Sequence, residues 1–580
     1  MCGIVGIYSK NFVKDKLIDN LKRLEYRGYD SAGLALLCSN KIETVKAVGK
    51  ISELEAKAAG KSCDSFIGIG HTRWATHGKP SVKNAHPQLS QDGSWAVVHN
   101  GIIENFEALK KDLEDNGFKF KSDTDTEVVS NMLQSSKKKG VYALIEVCKK
   151  LQGSYSFACL HVGDNAIFLA KYNSPLYVGE KDGDVVVASA CMSNNSYCLN
   201  NMEFARVDDR GITFFNAKGN KIEKEAIKIS ARQNCEENKL FPHHMLKEIN
   251  DIPKALRETF DYYADGIAFQ ETIKLLKNCS SVKIVACGTA YHAGLLGSAI
   301  LRGAIKKDVL ANIASEFKYN HPILKKDTLC IFVSQSGETA DTIACLKMCK
   351  DAGCKTVAIT NVLSSTITVF ADIVLPTLAG EEVAVASTKA YNCQVLLFRL
   401  LAEHFMGKKP NVDLLIEEAQ KLVSKKYLAI SKRVAKQRHV LYFGRREDFY
   451  LAQEASLKLR EITYIYSNAQ PLGELKHGTL ALIDKNSLSV IILTQRDLIS
   501  KVLSNIFQIK ARGGKIILIT PFKELKEVKG LSCSFIIIPE AEYIEQLAII
   551  PTQLLAYYTS QDLGINPDKP RNLAKSVTVE

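Results

Sequence analysis

The sequence predicts an α+β domain followed by two α/β units, and three observations carry that expectation. Short alternating or apolar runs with helical stretches between them dominate residues 1–225. After Pro242, apolar β-branched runs alternate with helical patterns, as parallel strands buried on both faces do. Those later runs come in two sets of matching spacing. Ile284, Ile331, Val357 and Ile373 are separated by 47, 26 and 16 residues, and Leu441, Ile491, Ile517 and Ile536 by 50, 26 and 19. Two like units in succession, a duplicated domain, explain this.

In the first region the runs Cys2–Tyr8, Ser65–Gly70, Ser94–His99, Ser154–His161, Ala166–Ala170 and Asp184–Ala188 read as strands. Helical periodicity covers Lys14–Leu24, Glu104–Asn116 and Thr126–Gln134, so helices should pack on antiparallel sheet. From Asn216 to Lys239 the chain turns polar and charged without periodicity, as a linker does. The boundaries expected are 1–225, a linker 226–242, α/β units 243–425 and 426–563, and a tail 564–580. With Pro567 and Pro570, that tail is too short and irregular for another domain.

Composition narrows the function classes. The 580 residues carry a formal charge of +13, but the lysines are spread out and the densest run, Lys137–Lys139, has no interleaved aromatics. A solvated face is expected, not nucleic-acid binding; the positive balance only favours approach of anionic small molecules. The sixteen cysteines include no CxxC pair, so neither a zinc ribbon nor a disulfide framework is suggested, and a reducing cytosol fits. No apolar run reaches the ~18 to 20 residues of a membrane span. Gln546–Gln561 lacks charges but contains Pro551, and reads as a buried segment. No targeting segment is expected ahead of Cys2, and no membrane association.

Cys2 is the first residue with chemistry to offer. If Met1 is removed, Cys2 carries a thiol and a free α-amine of pKa about 8, a nucleophile with its own base. Taken alone it reads first as a small residue opening a buried strand. Asn100 offers a side-chain N–H and Gly101 an unobstructed backbone N–H, the makings of an oxyanion hole. Arg73 can pair with a carboxylate and Asp125 with an ammonium, so together they can grip both charged ends of an α-amino acid. Asp123 and Asp125 could instead cap the helix starting near Thr126. His71, His77, His86 and His99 lack metal-ligand spacing and fit hydrogen-bonding roles; no metal is expected.

In the second region, Ser334-Gln335-Ser336-Gly337-Glu338-Thr339 follows a buried strand and precedes the helical pattern Asp341–Ala352. Hydroxyls and glycine at a helix N-terminus make a phosphate cradle, unlike a Walker loop or a dinucleotide GxGxxG turn. Cys287-Gly288-Thr289 and Ser387-Thr388-Lys389 add further loops of small and hydroxylated residues. Glu454, Lys458 and Glu461 lie along one helix face at i, i+4 and i+7. Such a row is usually a surface charge ladder, but with His477 it also offers acid and base groups for proton transfer beside a carbonyl.

The motifs Cys2-Gly3-Ile4-Val5-Gly6, Arg27-Gly28-Tyr29-Asp30-Ser31, His71-Thr72-Arg73-Trp74, His99-Asn100-Gly101 and Thr124-Asp125-Thr126-Glu127 resemble those of class II, N-terminal-nucleophile glutamine amidotransferases. The later motifs, above all the ending Asp568-Lys569-Pro570-Arg571-Asn572-Leu573-Ala574-Lys575-Ser576-Val577-Thr578-Val579-Glu580, resemble the tandem sugar-isomerase domains of the glutamine:fructose-6-phosphate aminotransferase (isomerising) family. The resemblance spans essentially the whole chain. It implies an α+β N-terminal-nucleophile glutaminase domain followed by two α/β flavodoxin-like sugar-isomerase (SIS) domains, with the tail folded into the sugar site.

The resemblance also implies roles. Cys2 attacks the glutamine amide, Asn100 and Gly101 stabilise the oxyanion, and Arg73, Thr76, His77 and Asp125 bind glutamine. Thr289, Ser334, Gln335, Ser336, Thr339, Ser387 and Lys458 bind the sugar phosphate, with Glu454 in support. Lys575 forms the Schiff base, Glu461 moves a proton between C1 and C2, and His477, supplied by a neighbouring subunit of a homodimer, opens the ring. Trp74, Leu573 and Ala574 line a path for ammonia. Glutamine and fructose 6-phosphate are the implied substrates, no cofactor is implied, and the setting is cytoplasmic. Ala290, Tyr466-Ser467-Asn468 and Thr479 depart from the family pattern, and Ala290 removes one hydroxyl near the sugar. A phosphoribosyl amidotransferase, a deglycase and a non-catalytic sugar-phosphate regulator are the rival readings.

Overall fold

The computed structural model describes residues 2–25, 28–39, 41–60, 64–74, 77–172, 174–190, 192, 195–228, 241–264, 266, 269–363, 365–528 and 530–577. They fall into two compact units, one within Met1–Asn234 and Ser576–Glu580, the other within Cys235–Lys575. Most of the 226–242 linker and the last three residues lie outside the described residues.

The first unit stacks two antiparallel sheets, of eight and seven strands, between helices. Strand periodicity explains the layering, because successive side chains point to opposite faces. Ile4 enters the core between the sheets, with Ile69, Val98, Ala158 and Leu169. Its neighbour Val5 faces the other way, onto the helices Lys14–Lys22 and Ile51–Ala59 through Leu17, Leu21 and Leu54. Trp95 and Val97 likewise turn from the central core toward the helices Phe106–Asp115, Thr126–Ser135 and Val141–Cys148. The predicted α+β class holds, and the expected strand from Cys2 begins at Gly3 instead.

The second unit contains two five-stranded parallel sheets of one topology. The first runs Asp308–Ile313, Ser281–Ala286, Thr328–Ser334, Lys355–Thr360, Ile373–Pro376, and the second Tyr466–Pro471, His439–Gly444, Leu488–Ile492, Lys515–Thr520, Ser534–Ile537. In chain order both read 2-1-3-4-5, the flavodoxin-like arrangement. The strand that sequence spacing missed in each unit, Asp308–Ile313 and Tyr466–Pro471, occupies the same outer edge. Its residues are largely half-buried or exposed, so it lacks the continuous apolar run of its central neighbours. One core joins the inner faces of both sheets, from Ile284 and Ile331 to Tyr442, Val490 and Ile517. The charge-poor segment is the helix Ile544–Asp562, buried along most of its length with Pro551 inside it. Among the described residues no helix is long and apolar enough to cross a membrane.

Candidate active sites

In the first unit, the strand Gly3–Tyr8 pairs antiparallel with Ile67–Arg73, setting Gly3 opposite Thr72. Cys2 is thereby delivered to the end of that strand, where its Sγ accepts the Trp74 backbone N–H at 3.2 Å. Gly3 donates to Thr72 Oγ1 at 3.0 Å, and a Cβ there would fall 2.7 Å from that oxygen, so the approach needs glycine. Burial pushes the Cys2 thiol above its ordinary value, while the Trp74 N–H and the Arg73 charge pull it down.

Asn100 and Gly101 sit on the strand Trp95–Ile103. Asn100 Nδ2 donates one N–H to the Cys2 carbonyl at 3.0 Å, which brings the candidate oxyanion donor to the candidate nucleophile. Gly101 has φ +134°, and a Cβ would lie 2.0 Å from the Ser154 carbonyl oxygen; no other residue fits. His71 Nε2 is 2.9 Å from the His99 carbonyl and 3.1 Å from Asn100 Oδ1. Both are acceptors, so Nε2 carries the proton and the Asn100 amide can point only one way. Burial pushes His71 down to about 3, keeping it neutral, and lowers His86 and His99 as well. The three rings stack, His71 on His86 at 4.3 Å and His86 on His99 at 6.5 Å. Among the described residues no group of three or more metal-ligating side chains occurs.

Arg73 is buried and donates to the carbonyls of His77 and Gly78, while its Nη1 has no hydrogen-bond partner. Asp125 stands at the start of the helix Thr126–Ser135 but makes no cap hydrogen bond. Its Oδ2 instead accepts the Ile103 N–H at 2.9 Å and lies 3.9 Å from His99 Nδ1. The capping alternative therefore fails for Asp125, and Arg73 feels the charges of both Cys2 and Asp125. His77 is half-buried with its ring against Phe106 at 5.0 Å. Trp74 is half-buried, its ring 6.0 Å from Tyr29. Thr76 and Met1 lie outside the described residues.

In the second unit, Ser334 ends its strand and Thr339 precedes the helix Ala340–Asp351. The turn is self-braced: Ser334 Oγ lies 3.0 Å from Thr339 Oγ1 and accepts the Gly337 N–H at 3.0 Å. Ser336 Oγ accepts the Glu338 N–H at 3.2 Å, and the Gln335 carbonyl accepts from Asn361. The adjacent strand Ser281–Ala286 leads through Cys287 into the helix Gly288–Ile305, whose first turn holds Thr289, so both turns lie at the carboxyl ends of the two strands where the order reverses. That crevice is where open α/β sheets bind ligands.

Thr289 does not face an empty cradle. Its Oγ1 donates to Glu454 Oε1 at 3.1 Å and accepts from Lys458 Nζ at 2.9 Å. Lys458 Nζ also reaches Glu461 Oε2 at 2.8 Å and Glu454 at 3.5 Å. Two members of the row read as either a surface ladder or an acid–base set are thus interior, Lys458 1 % and Glu454 0 % exposed, while Glu461 is half-buried. Burial alone would discharge Lys458, but Glu454 and Glu461 hold it above the usual lysine range. His292, one helical turn after Thr289, adds a 2.8 Å contact from Nδ1 to Glu454 Oε2; only its i, i+3 spacing from Thr289 could have signalled it.

The tail supplies Lys575, whose Nζ is 2.6 Å from Glu382 Oε2. Sequence reasoning missed Glu382, which also accepts from Ser387 Oγ at 2.6 Å and from the N–H groups of Thr388 and Ala390. Lys458 feels the Glu382 charge, so the tail pair and the Glu454–Lys458–Glu461 network are neighbours. Leu573 and Ala574 are half-buried in the same tail. His477 is exposed at the end of the 3-10 turn Leu472–His477 and makes no hydrogen bond to that network among the described residues. Of the departures, Ala290 packs against the core, Ser467 is buried against Ser456, and Thr479 bonds Gln470.

A candidate nucleophilic cysteine beside a candidate oxyanion donor, joined in one chain to paired α/β sheets with a turn rich in hydroxyls, fits a glutamine amidotransferase fused to sugar-isomerase domains. Comparison agrees: the glutamine amidotransferase domain matches residues 71–193, and the SIS domain matches twice, at 275–404 and 433–560. The chain is 42% identical over the full length of both sequences to glutamine–fructose-6-phosphate aminotransferase (isomerizing) of Caldanaerobacter subterraneus, and 40% to that of Clostridium acetobutylicum, again over the whole of both. The solved C-terminal domain of glucosamine-fructose-6-phosphate aminotransferase from Francisella tularensis aligns with TM-score 0.52 and 33% identity, over 58% of this chain and all of that one. This chain belongs to the glutamine–fructose-6-phosphate aminotransferase (isomerizing) family.

Proposed function

We propose that the chain converts fructose 6-phosphate and glutamine to glucosamine 6-phosphate and glutamate. The observation that carries the reading is a tail lysine, Lys575, ion-paired with the buried Glu382, whose charge also reaches the interior Lys458 between Glu454 and Glu461. A surface binding module has no need of that arrangement.

At the first site the Cys2 thiol gives its proton to the α-amine and attacks the glutamine carboxamide carbon. The oxyanion meets the second N–H of Asn100 and the N–H of Gly101. Ammonia leaves, and water hydrolyses the thioester to glutamate. Arg73 and Asp125 hold the carboxylate and ammonium of glutamine, with Thr76 and His77 completing that end. Trp74 gates ammonia, and Leu573 and Ala574 line its arrival. At the second site the Ser334–Thr339 turn and Ser387 hold the sugar phosphate. His477 of a second copy opens the ring, so the working form is a homodimer. The Lys575 amine condenses with the C2 ketone, ammonia displaces the lysine, and Glu461, ion-paired with Lys458, carries a proton from C1 to C2. We assign the glutaminase domain to 1–225, the sugar-isomerase domains to 243–425 and 426–563, and the setting to the cytoplasm.

The test is glucosamine 6-phosphate formation from glutamine and fructose 6-phosphate, beside Cys2→Ala and Lys575→Ala. Sugar-phosphate binding without product in the unmutated protein would replace this reading with that of a regulator.

A further inference from the structure

We infer that Glu382 is the counter-ion of the iminium formed at Lys575, a catalytic residue that pairs with the ammonium before the condensation and with the iminium after it. The inference rests on the Schiff-base reading of Lys575.

The chemistry calls for a fixed anion. The ammonium of Lys575 and the C2 ketone become a protonated imine and water. One Nζ–H proton first passes to the carboxylate 2.6 Å away, freeing the lone pair that adds to C2; as water leaves with two Nζ–H protons in all, the C=N bond replaces the C=O bond and the remaining proton leaves the positive charge on the imine nitrogen. A carboxylate already aimed at Nζ stabilises each state without rearranging. Glu382 is so aimed, fully buried at the carboxylate and 2.6 Å from Nζ. Ser387 Oγ and the N–H groups of Thr388 and Ala390 fix both of its oxygens, so it stays put when Nζ bonds to carbon.

A second buried carboxyl shows that the charge is matched one to one. Glu248, on the helix His244–Asn250, is 2 % exposed, and its Oε1 accepts the N–H groups of Val383 and Ala384, the residues after Glu382. Its Oε2 is buried with no hydrogen-bond partner. Burial and the Glu382 charge push the Glu248 carboxyl up, whereas the Lys575 ammonium at 2.6 Å holds Glu382 below the usual carboxylate range despite its burial. Two carboxylates beside one cation cannot both ionise cheaply, so Glu382 takes the charge and Glu248 keeps its proton. The other nearby cations are committed elsewhere, Lys458 to Glu454 and Glu461 and Lys389 to Asp251 at 3.4 Å.

The experiment reduces the iminium with cyanoborohydride in full-length protein given fructose 6-phosphate, and counts hexose phosphate on Lys575 by mass spectrometry across pH. Glu382→Gln should bind the sugar phosphate, yet its trapped fraction should fall about 10- to 1000-fold above neutral pH. The alkaline limb of its profile should move about 1 to 3 pH units lower, the effect of losing an adjacent opposite charge. Glu382→Asp keeps the charge and should restore most of both. An unshifted limb in Glu382→Gln, or equal loss in the Asp and Gln variants, overturns the counter-ion role alone. If Glu382→Gln does not fold, Glu382→Ala decides: its alkaline limb must move down as the Gln limb would, and an unmoved limb overturns the role. Absence of trapping on Lys575 in the unmutated protein overturns the Schiff-base reading, and this inference with it.

Discussion

His71 Nε2 lies 3.1 Å from Oδ1 of Asn100, whose Nδ2 donates to the carbonyl of Cys2 at 3.0 Å. A neutral histidine therefore decides which end of that amide faces the nucleophile. Without it the amide can turn, and its oxygen would meet an oxyanion with a lone pair in place of a proton.

His71→Phe should lower kcat for glutamate release about 10- to 1000-fold with little change in KM, because the lost interaction belongs to the transition state. Steady-state glutaminase kinetics check this. A rise confined to KM would mean that His71 acts on glutamine binding instead.

Trp74 contacts Cys2 through its backbone N–H, which survives side-chain truncation. Trp74→Ala should leave glutaminase largely intact and lower the ratio of glucosamine 6-phosphate made to glutamine consumed. Measuring both products in one reaction tests the gate, and an unchanged ratio removes it.

Gly337 has φ +65°, and a Cβ would fall 1.9 Å from Ser365 Oγ. Gly337→Ala must displace the turn that carries Ser334 and Thr339. The KM for fructose 6-phosphate should rise about 10- to 100-fold while glutaminase activity persists.

Lys458 is the interior cation between Glu454 and Glu461. Lys458→Met takes away the lysine cation from the buried Glu454, leaving it only the Thr289 hydroxyl and His292, which should cost about 3 kcal/mol in the unfolding of that unit. Urea titration with Lys458→Met beside the double variant Lys458→Met, Glu454→Gln reads it, since the second change should recover part of the loss.

Asp448, 1 % exposed, accepts the N–H and hydroxyl of Thr494, and burial pushes it up to about 7. Between about pH 4 and 7 the folded chain thus holds a proton that the unfolded chain has released, so this residue's stabilising share is lost as pH rises through that window. Asp448→Asn removes the titration. Its Tm minus that of the unmutated chain should climb from pH 4 to 7 and level off above; calorimetry at several pH values shows whether it does.

Local pattern determined a good deal of this protein by itself. Strand runs such as Asp184–Ala188 matched the observed element, and the doubled spacing after Pro242 matched two sheets of one topology, because buried parallel strands must be apolar along their whole length. Cys2, Asn100, Gly101, Arg73 and Asp125 were legible as chemistry from residue type. Tertiary structure alone decided what each does with its side chain. Only packing shows that Asp125 turns from its helix to Ile103, and that Glu454 and Lys458 are interior when their spacing fits a solvated face equally well. Glu382 carried no sequence signal, since its meaning comes from a lysine 193 residues away that the fold sets 2.6 Å from it. Periodicity records which face a residue occupies; charge pairing depends on distance across elements, and that exists only once the chain has folded.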